Sequence, residues 1–235
     1  MRAQGPERDA GIVSLMVRKP EPHSRLPAAL EPLRSRSWLS EAQRKALHLC
    51  FILLPLEVIY EWLPWPRGRS EWRLLLVGAV VVAIALDLVR LHDRRVGRFF
   101  RIFFGEMIRQ HEHFNLLGST YLLLASLLAI ELFPRPMAAA ALGFTVLGDG
   151  FAAVVGKAYG RTRFYGKSLE GSLAGLLACL AWAAVLVAAG HLSWGTAIVG
   201  ALVASLVEIL PIPLDDNLGM TLFAGYAMKL LGGPG

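Results

Sequence analysis

The sequence predicts an all-α, polytopic membrane protein with about seven transmembrane helices and a cytoplasmic N-terminus. Three observations carry that expectation. The 235 residues are 55% apolar and only 18% charged, with a mean hydropathy of +0.50. A soluble domain of this length carries more charge and less apolar residue. Apolar runs close to the ~20 residues that a spanning helix needs recur from Ala46 to the end of the chain. Lys and Arg are then distributed unequally between the connecting loops.

Residues 1–40 hold Pro6, Pro20, Pro22, Pro27 and Pro32 among many arginines and show little periodicity. This segment is expected to be a disordered, basic cytoplasmic tail, with a membrane-embedded domain over 41–235. The apolar patch at 12–17 is too short for a secretory h-region. Spans are placed near 46–64, 74–91, 116–133, 137–156, 169–190, 196–212 and 217–232. With seven spans, loops on the side of the N-terminus carry 19 Lys and Arg against 5 on the other side. The positive-inside rule puts the N-terminus in the cytoplasm. The net charge of +6 therefore reads as topology, and nucleic acid is not an expected partner. Cys50 and Cys179 both fall in apolar runs, which favours small core residues over a disulfide or a metal site.

Between the second and third spans, 94–114 reads RRVGRFFRIFFGEMIRQHEHF. Val96, Phe100, Phe103 and Met107 recur at helical spacing with arginines between them. This is expected to be a helix in the cytoplasmic headgroup layer, drawn to anionic lipids. His111, Glu112 and His113 do not read as a metal site, because alternate residues on a helix point apart; Glu112 is the better candidate for a polar group facing a site. Glu41, Lys45 and His48 share one face of the first span, where a snorkelling helix start is the plain reading. Asp87 and Arg90 are three apart and form a self-neutralising pair by spacing.

Two polar segments stand out. The first, 147–172, reads LGDGFAAVVGKAYGRTRFYGKSLEGS. It sets Asp149 inside an apolar helix, crosses a basic loop with Arg161 and Arg163, and starts a new helix at Lys167 and Ser168. An intramembrane carboxylate is a functional candidate by default. Five residues separate Gly160 from Gly166 where a Walker A motif has four, and no buried strand precedes them, so a P-loop fold is excluded. A glycine, a lysine and a serine at a helix N-terminus still suit phosphate, because the first amides are unpaired and the dipole end is positive. The candidate phosphate binders are Arg161, Lys167, Ser168, Gly171 and Ser172. Small residues on both helices, Gly148, Gly150 and Ala152 against Gly171, Ala174, Gly175 and Ala178, permit close approach. The second segment, 208–217, reads EILPIPLDDN. Asp215, Asp216 and Asn217 offer hard oxygen ligands of the kind Mg²⁺ takes together with waters and phosphates. Capping of the last helix needs only one of the two acids.

At these residues the chain resembles the CTP-dependent lipid kinases: dolichol kinase, phytol kinase and the yeast-type diacylglycerol kinase. The matching pieces are LGDGFAAVVGK (147–157), GKSLEGSLAG (166–175) and VEILPIPLDDNLGMTLFAG (207–225). Weaker matches are Arg44, Lys45 and His48, the pair Asp87 and Arg90, and QHEHFNLLGSTYLLLAS (110–126), where Gln110 replaces the family's usual Arg. The resemblance implies an integral membrane enzyme whose cytoplasmic-face site moves the γ-phosphate of CTP to an isoprenoid alcohol or diacylglycerol, with Mg²⁺ or another divalent cation. On that reading Asp215 and Asp216, helped by Asn217, hold the metal. Lys167, Ser168 and the first amides of the fifth span hold the CTP phosphates. Asp149 joins the metal site or acts as base on the lipid hydroxyl, with Glu170 and Glu208 as alternatives for that role. A phosphatidate cytidylyltransferase, making CDP-diacylglycerol, would use the same residue types. A transporter or non-catalytic scaffold is disfavoured because the polar groups crowd one face instead of the midplane.

Overall fold

A computed structural model describes residues 46–104 and 115–232, and these are mostly helical. The tail 1–40, Glu41, Lys45, Gln110 and His111-Glu112-His113 lie outside the described residues. A helical stretch at 46–50 leads into α1 (Leu53–Tyr60). Then follow α2 (Gly68–His92), α3 (Arg94–Phe104), α4 (Gly118–Leu132) and α5 (Arg135–Tyr159). A two-stranded hairpin, β1 (Arg163–Phe164) and β2 (Lys167–Ser168), precedes α6 (Leu169–Ala188), α7 (Trp194–Ile209) and α8 (Asp216–Gly232).

Breaks fall where local chemistry puts them. Pro134 sits at the N-cap of α5, whose first turn holds a proline, and Pro211 and Pro213 separate α7 from α8. Ser193 caps α7 by accepting the Thr196 amide at 3.4 Å. Helix α2 starts earlier than the apolar run from which it is read, because Arg69, Glu71 and Arg73 are good helix formers that a hydropathy window excludes. The hairpin replaces the plain basic loop expected at 161–166. Its two-residue turn, Tyr165-Gly166, takes φ of 48° and 82°. Positive φ at both positions matches the right-handed twist of the flanking strands, which is why a glycine stands there.

Three helices, α2, α5 and α6, are long and apolar enough to cross a membrane. The helix over Ala46–Tyr60, α4 and α7 are shorter and also apolar. Helix α5 is central: 72% of its most apolar window is buried, against 22% in α2. Ala138 to Ala141, Phe144, Val146 and Thr145 are buried, and Thr145 Oγ1 meets Thr221 Oγ1 of α8 at 2.8 Å. Large apolar side chains point outward instead: Leu74, Val81, Val82 and Leu86 on α2, Leu173 and Leu177 on α6, Leu202 and Leu206 on α7. A soluble monomer rarely exposes such continuous apolar area, and lipid is the solvent that suits it. Cys179 is in the core as expected, but Cys50 is exposed and both are free thiols.

The α5–α6 seam is the tightest in the bundle. A methyl group added to Gly175 would lie 2.8 Å from the Gly148 carbonyl oxygen, and one on Gly171 would lie 2.8 Å from Gly156 Cα. The small residues therefore let two backbones touch, as their spacing predicts. Gly150 does not share this seam; it faces Leu49. Close contact of α5 with α6 brings the second half of α5 beside the Lys167 hairpin. That places Asp149 at the same end of the bundle as the starts of α6 and α8 and the end of α7.

Candidate active site

The site is built from helix ends. Lys167 leaves β2 and reaches across to the end of α7 and the start of α8. Its Nζ lies 3.3 Å from Glu208 Oε1 and 3.1 Å from Asp216 Oδ2, and it also donates to the Glu208 carbonyl oxygen. Ser172 Oγ, one turn into α6, donates to the other Glu208 oxygen, Oε2, at 3.0 Å. Glu208 is almost fully buried while Lys167 and Asp216 are partly open to solvent. A single ammonium thus joins one buried and one accessible carboxylate from two helices, with a hydroxyl satisfying the buried one. Lone charges do not persist in apolar surroundings, so the cluster is held together by mutual neutralisation.

Asp149 stands beside this group. It is buried, its Oδ2 lies 3.7 Å from His48 Nε2 on the 46–50 stretch, and its negative charge acts on Glu208. His48 is therefore more than a snorkelling helix start. The arginine-lysine-histidine pattern carried a trace of this, but only the fold brings the first helix against α5.

Other candidates hold the frame. Ser168 is buried, and its Oγ accepts the Gly171 amide at 3.1 Å as the N-cap of α6. Both Ser168 Oγ and Gly171 N are thus engaged with each other. Glu170 accepts the backbone amides of Arg161 and Thr162 at 3.1 Å, so its carboxylate fixes the approach to the hairpin. The Arg161 side chain belongs to an exposed residue beyond that point. Asp215 Oδ1 accepts from the Asn217 amide at 2.9 Å and from Asn217 Nδ2 at 3.0 Å. Asn217 Nδ2 also donates to Gly118 O at 3.2 Å, tying α8 to the start of α4. Asn217 is buried, and its Oδ1 has no partner among the described residues.

Below this layer, Asp87 and Arg90 form a buried ion pair at 3.1 Å, as their spacing predicts. Asp87 Oδ2 accepts the Leu117 amide at 2.9 Å and Thr120 Oγ1 at 2.8 Å. Arg90 Nη2 donates to Asn115 O at 2.7 Å. The pair therefore locks the end of α2 to the start of α4, and through Gly118 and Asn217 to the start of α8.

A divalent cation fits this donor set in one way. Among the described residues no group of three or more His, Cys, Asp or Glu is placed to hold a metal. Two carboxylates, Glu208 and Asp216, already converge on a positive charge, and the unpartnered Asn217 Oδ1 lies at the next position in the chain. Hard-oxygen sites of the Mg²⁺ type need only one or two protein carboxylates, with waters and phosphates completing the shell.

No family model and no solved structure matches the chain. It is 30% identical over 135 residues to an uncharacterized protein of Rickettsia prowazekii (strain Madrid E), RP860. The match covers 56% of this chain and 63% of that protein, so the chain spans less than two thirds of its relative.

Proposed function

We propose that the chain is a CTP-dependent lipid kinase of the membrane, transferring the γ-phosphate of CTP to the hydroxyl of an isoprenoid alcohol or diacylglycerol. The observation that carries this reading is the meeting of Lys167 with Glu208 and Asp216. It joins the glycine-lysine-serine segment to the acidic segment, the two pieces in which the sequence resembles that family. In this reading the protein has about seven spans, residues 1–40 are a cytoplasmic tail, and the site opens to the cytoplasm, where the nucleotide is.

Phosphoryl transfer asks a protein chiefly for alignment and charge neutralisation. Lys167 supplies a mobile positive charge on the short arm of a hairpin. It rests on Glu208 and Asp216 and moves onto the phosphate oxygens when nucleotide binds. Arg161 adds charge at the rim. Glu170 and Ser168 hold the hairpin so that Lys167 points inward. Asp216 and Glu208, with Asp215 and Asn217 alongside, would hold a divalent cation, which would supply further neutralisation of phosphate charge. Asp149, paired with His48 in an apolar wall, orients the lipid hydroxyl and accepts its proton. The lipid tail lies along the exposed apolar faces of the spans. Helix α3 carries Arg94, Arg95 and Arg98 beside exposed Phe99 and Ile102; it rests in the headgroup layer among anionic lipids.

Purified protein supplied with CTP labelled either at the γ-phosphate or in the cytidine, and with a panel of polyprenols, phytol and diacylglycerol, tests the proposal. γ-Label in the lipid is the expected result. Cytidine label in a lipid product from phosphatidate would instead make the protein a cytidylyltransferase, and label in neither would remove nucleotide chemistry.

A further inference from the structure

The opposite end of the bundle holds a cavity of about 180 Å³ lined by Val58, Gly68, Arg69, Trp72, Ile130, Phe133, Arg135 and Ala138. From Ala138 to Asp149 is roughly 16 Å along α5 at 1.5 Å per residue, so this cavity is separate from the carboxylate cluster. It is too small for a nucleotide or a whole lipid, since drug-sized ligands take ~300 Å³ or more.

Its chemistry is that of an anion acceptor. Gly68 and Arg69 open α2, and Arg135 opens α5, so two helix N-termini, each with a positive dipole end, border one space. Trp72 is only 6% exposed, and its indole Nε1 has no hydrogen-bond partner among the described residues. A buried N–H left unpaired is costly and rare. Glu61, next to the cavity, is engaged by the Gly68 amide at 3.0 Å and by Arg135 Nη2 at 2.7 Å. Glu71 accepts the Arg67 amide. Glu57, buried beside Val58, accepts the Leu63 amide at 3.1 Å through Oε1, and its Oε2 has no partner among the described residues. Arg69 donates to Phe133 O at 3.0 Å and pairs with no carboxylate among the described residues. An arginine that meets no carboxylate among the described residues and an unpaired indole donor therefore line one small space, together with Arg135 and mostly apolar residues.

We propose that this cavity binds a single oxyanionic group of the phosphate class, with Trp72 Nε1 and the Arg69 guanidinium as its donors. Either a free anion or the phosphate of a lipid headgroup presents that chemistry. Arg69 and Arg135 are exposed and Trp72 is buried, so the site opens to the surface on its charged side, and its size limits it to one such group.

The test follows the indole N–H resonance of Trp72, identified by its loss in Trp72→Phe, in the full chain in neutral detergent. Inorganic phosphate is titrated in one arm and phosphatidylglycerol in the other. A saturable shift in the first arm identifies a free anion, and a shift confined to the second identifies a headgroup; both support the proposal. Arg69→Gln is expected to weaken binding by about tenfold or more, the loss of one charge-assisted hydrogen bond. Arg73→Gln, whose partner is Glu131 outside the cavity, is expected to leave it unchanged. Trp72→Phe removes no hydrogen bond within the protein, so it folds as before and loses the thermal stabilisation that the ligand gives. No saturable shift in either arm, or equal weakening by Arg69→Gln and Arg73→Gln, overturns the proposal. None of these outcomes depends on kinase activity.

Discussion

The two ends of the bundle use similar residues to different ends. At the α5 N-terminal end each of several exposed cations meets a single acceptor. Arg73 meets Glu131 at 2.9 Å, Arg135 meets Glu61 at 2.7 Å, and Lys229 donates to Leu132 O at 3.0 Å. Each such pair is one cation with one acceptor at an exposed position, and each contributes little. At the other end one lysine serves two carboxylates from two helices, a hydroxyl serves the buried one, and a buried aspartate with a histidine stands beside them. Ion pairs that only stabilise can be made singly at a surface. A cation shared between one buried and one accessible acid can be rearranged by a ligand that brings its own charge.

Substitutions at the two ends should separate accordingly. The largest effect is expected from Asp216→Asn or Glu208→Gln, which remove a carboxylate from the Lys167 cluster. Loss of one preorganised electrostatic partner costs about 10²–10³ in rate. Lipid phosphorylation should fall by at least that much, with helix content by circular dichroism unchanged. Next is Asp87→Ala, which removes the buried carboxylate that Arg90 meets at 3.1 Å. Breaking a buried pair costs about 3–5 kcal/mol, so the melting temperature in detergent should drop sharply and activity should fall with it. Gly175→Ala forces a methyl group against the Gly148 carbonyl. Overpacking of this kind costs about 1–3 kcal/mol, read as a lower melting temperature with normal activity at low temperature. The smallest effect is expected from Arg135→Gln at the exposed end, below about 1 kcal/mol, with wild-type turnover. A loss of activity there equal to that of Asp216→Asn would erase the distinction between the ends.

The helices were legible because hydropathy and proline positions act locally: Pro134, Pro211 and Pro213 stand at breaks, and the apolar runs set the lengths. The α5–α6 seam was legible because small residues four apart share a face. Other features depend on contacts that no local pattern encodes. The hairpin at Tyr165-Gly166 rests on strands of two residues, too short for any periodicity. Ser168 and Glu170 carry the residue types of a phosphate loop and act here as cap and clamp, since a helix N-terminus offers its amides equally to a side chain or an anion. His48 meets Asp149 only because the first helix packs on α5. The pairing of Lys167 with Glu208 and Asp216 followed the expectation that the two segments share one end, but the choice of Glu208 and Asp216 over Asp215 is set by the turn at Asp215, whose carboxylate is spent on Asn217.

The unity of the cluster is tested most directly by comparing phosphate transfer from γ-labelled CTP to lipid in Lys167→Met, Asp216→Asn and the double variant. Groups that act as one unit are not additive: once one is lost, removing the second costs little more. The expected result is a double variant about as slow as the slower single variant. Losses that multiply would mean that Lys167 and Asp216 act independently, and would contradict a single site built from the two polar segments.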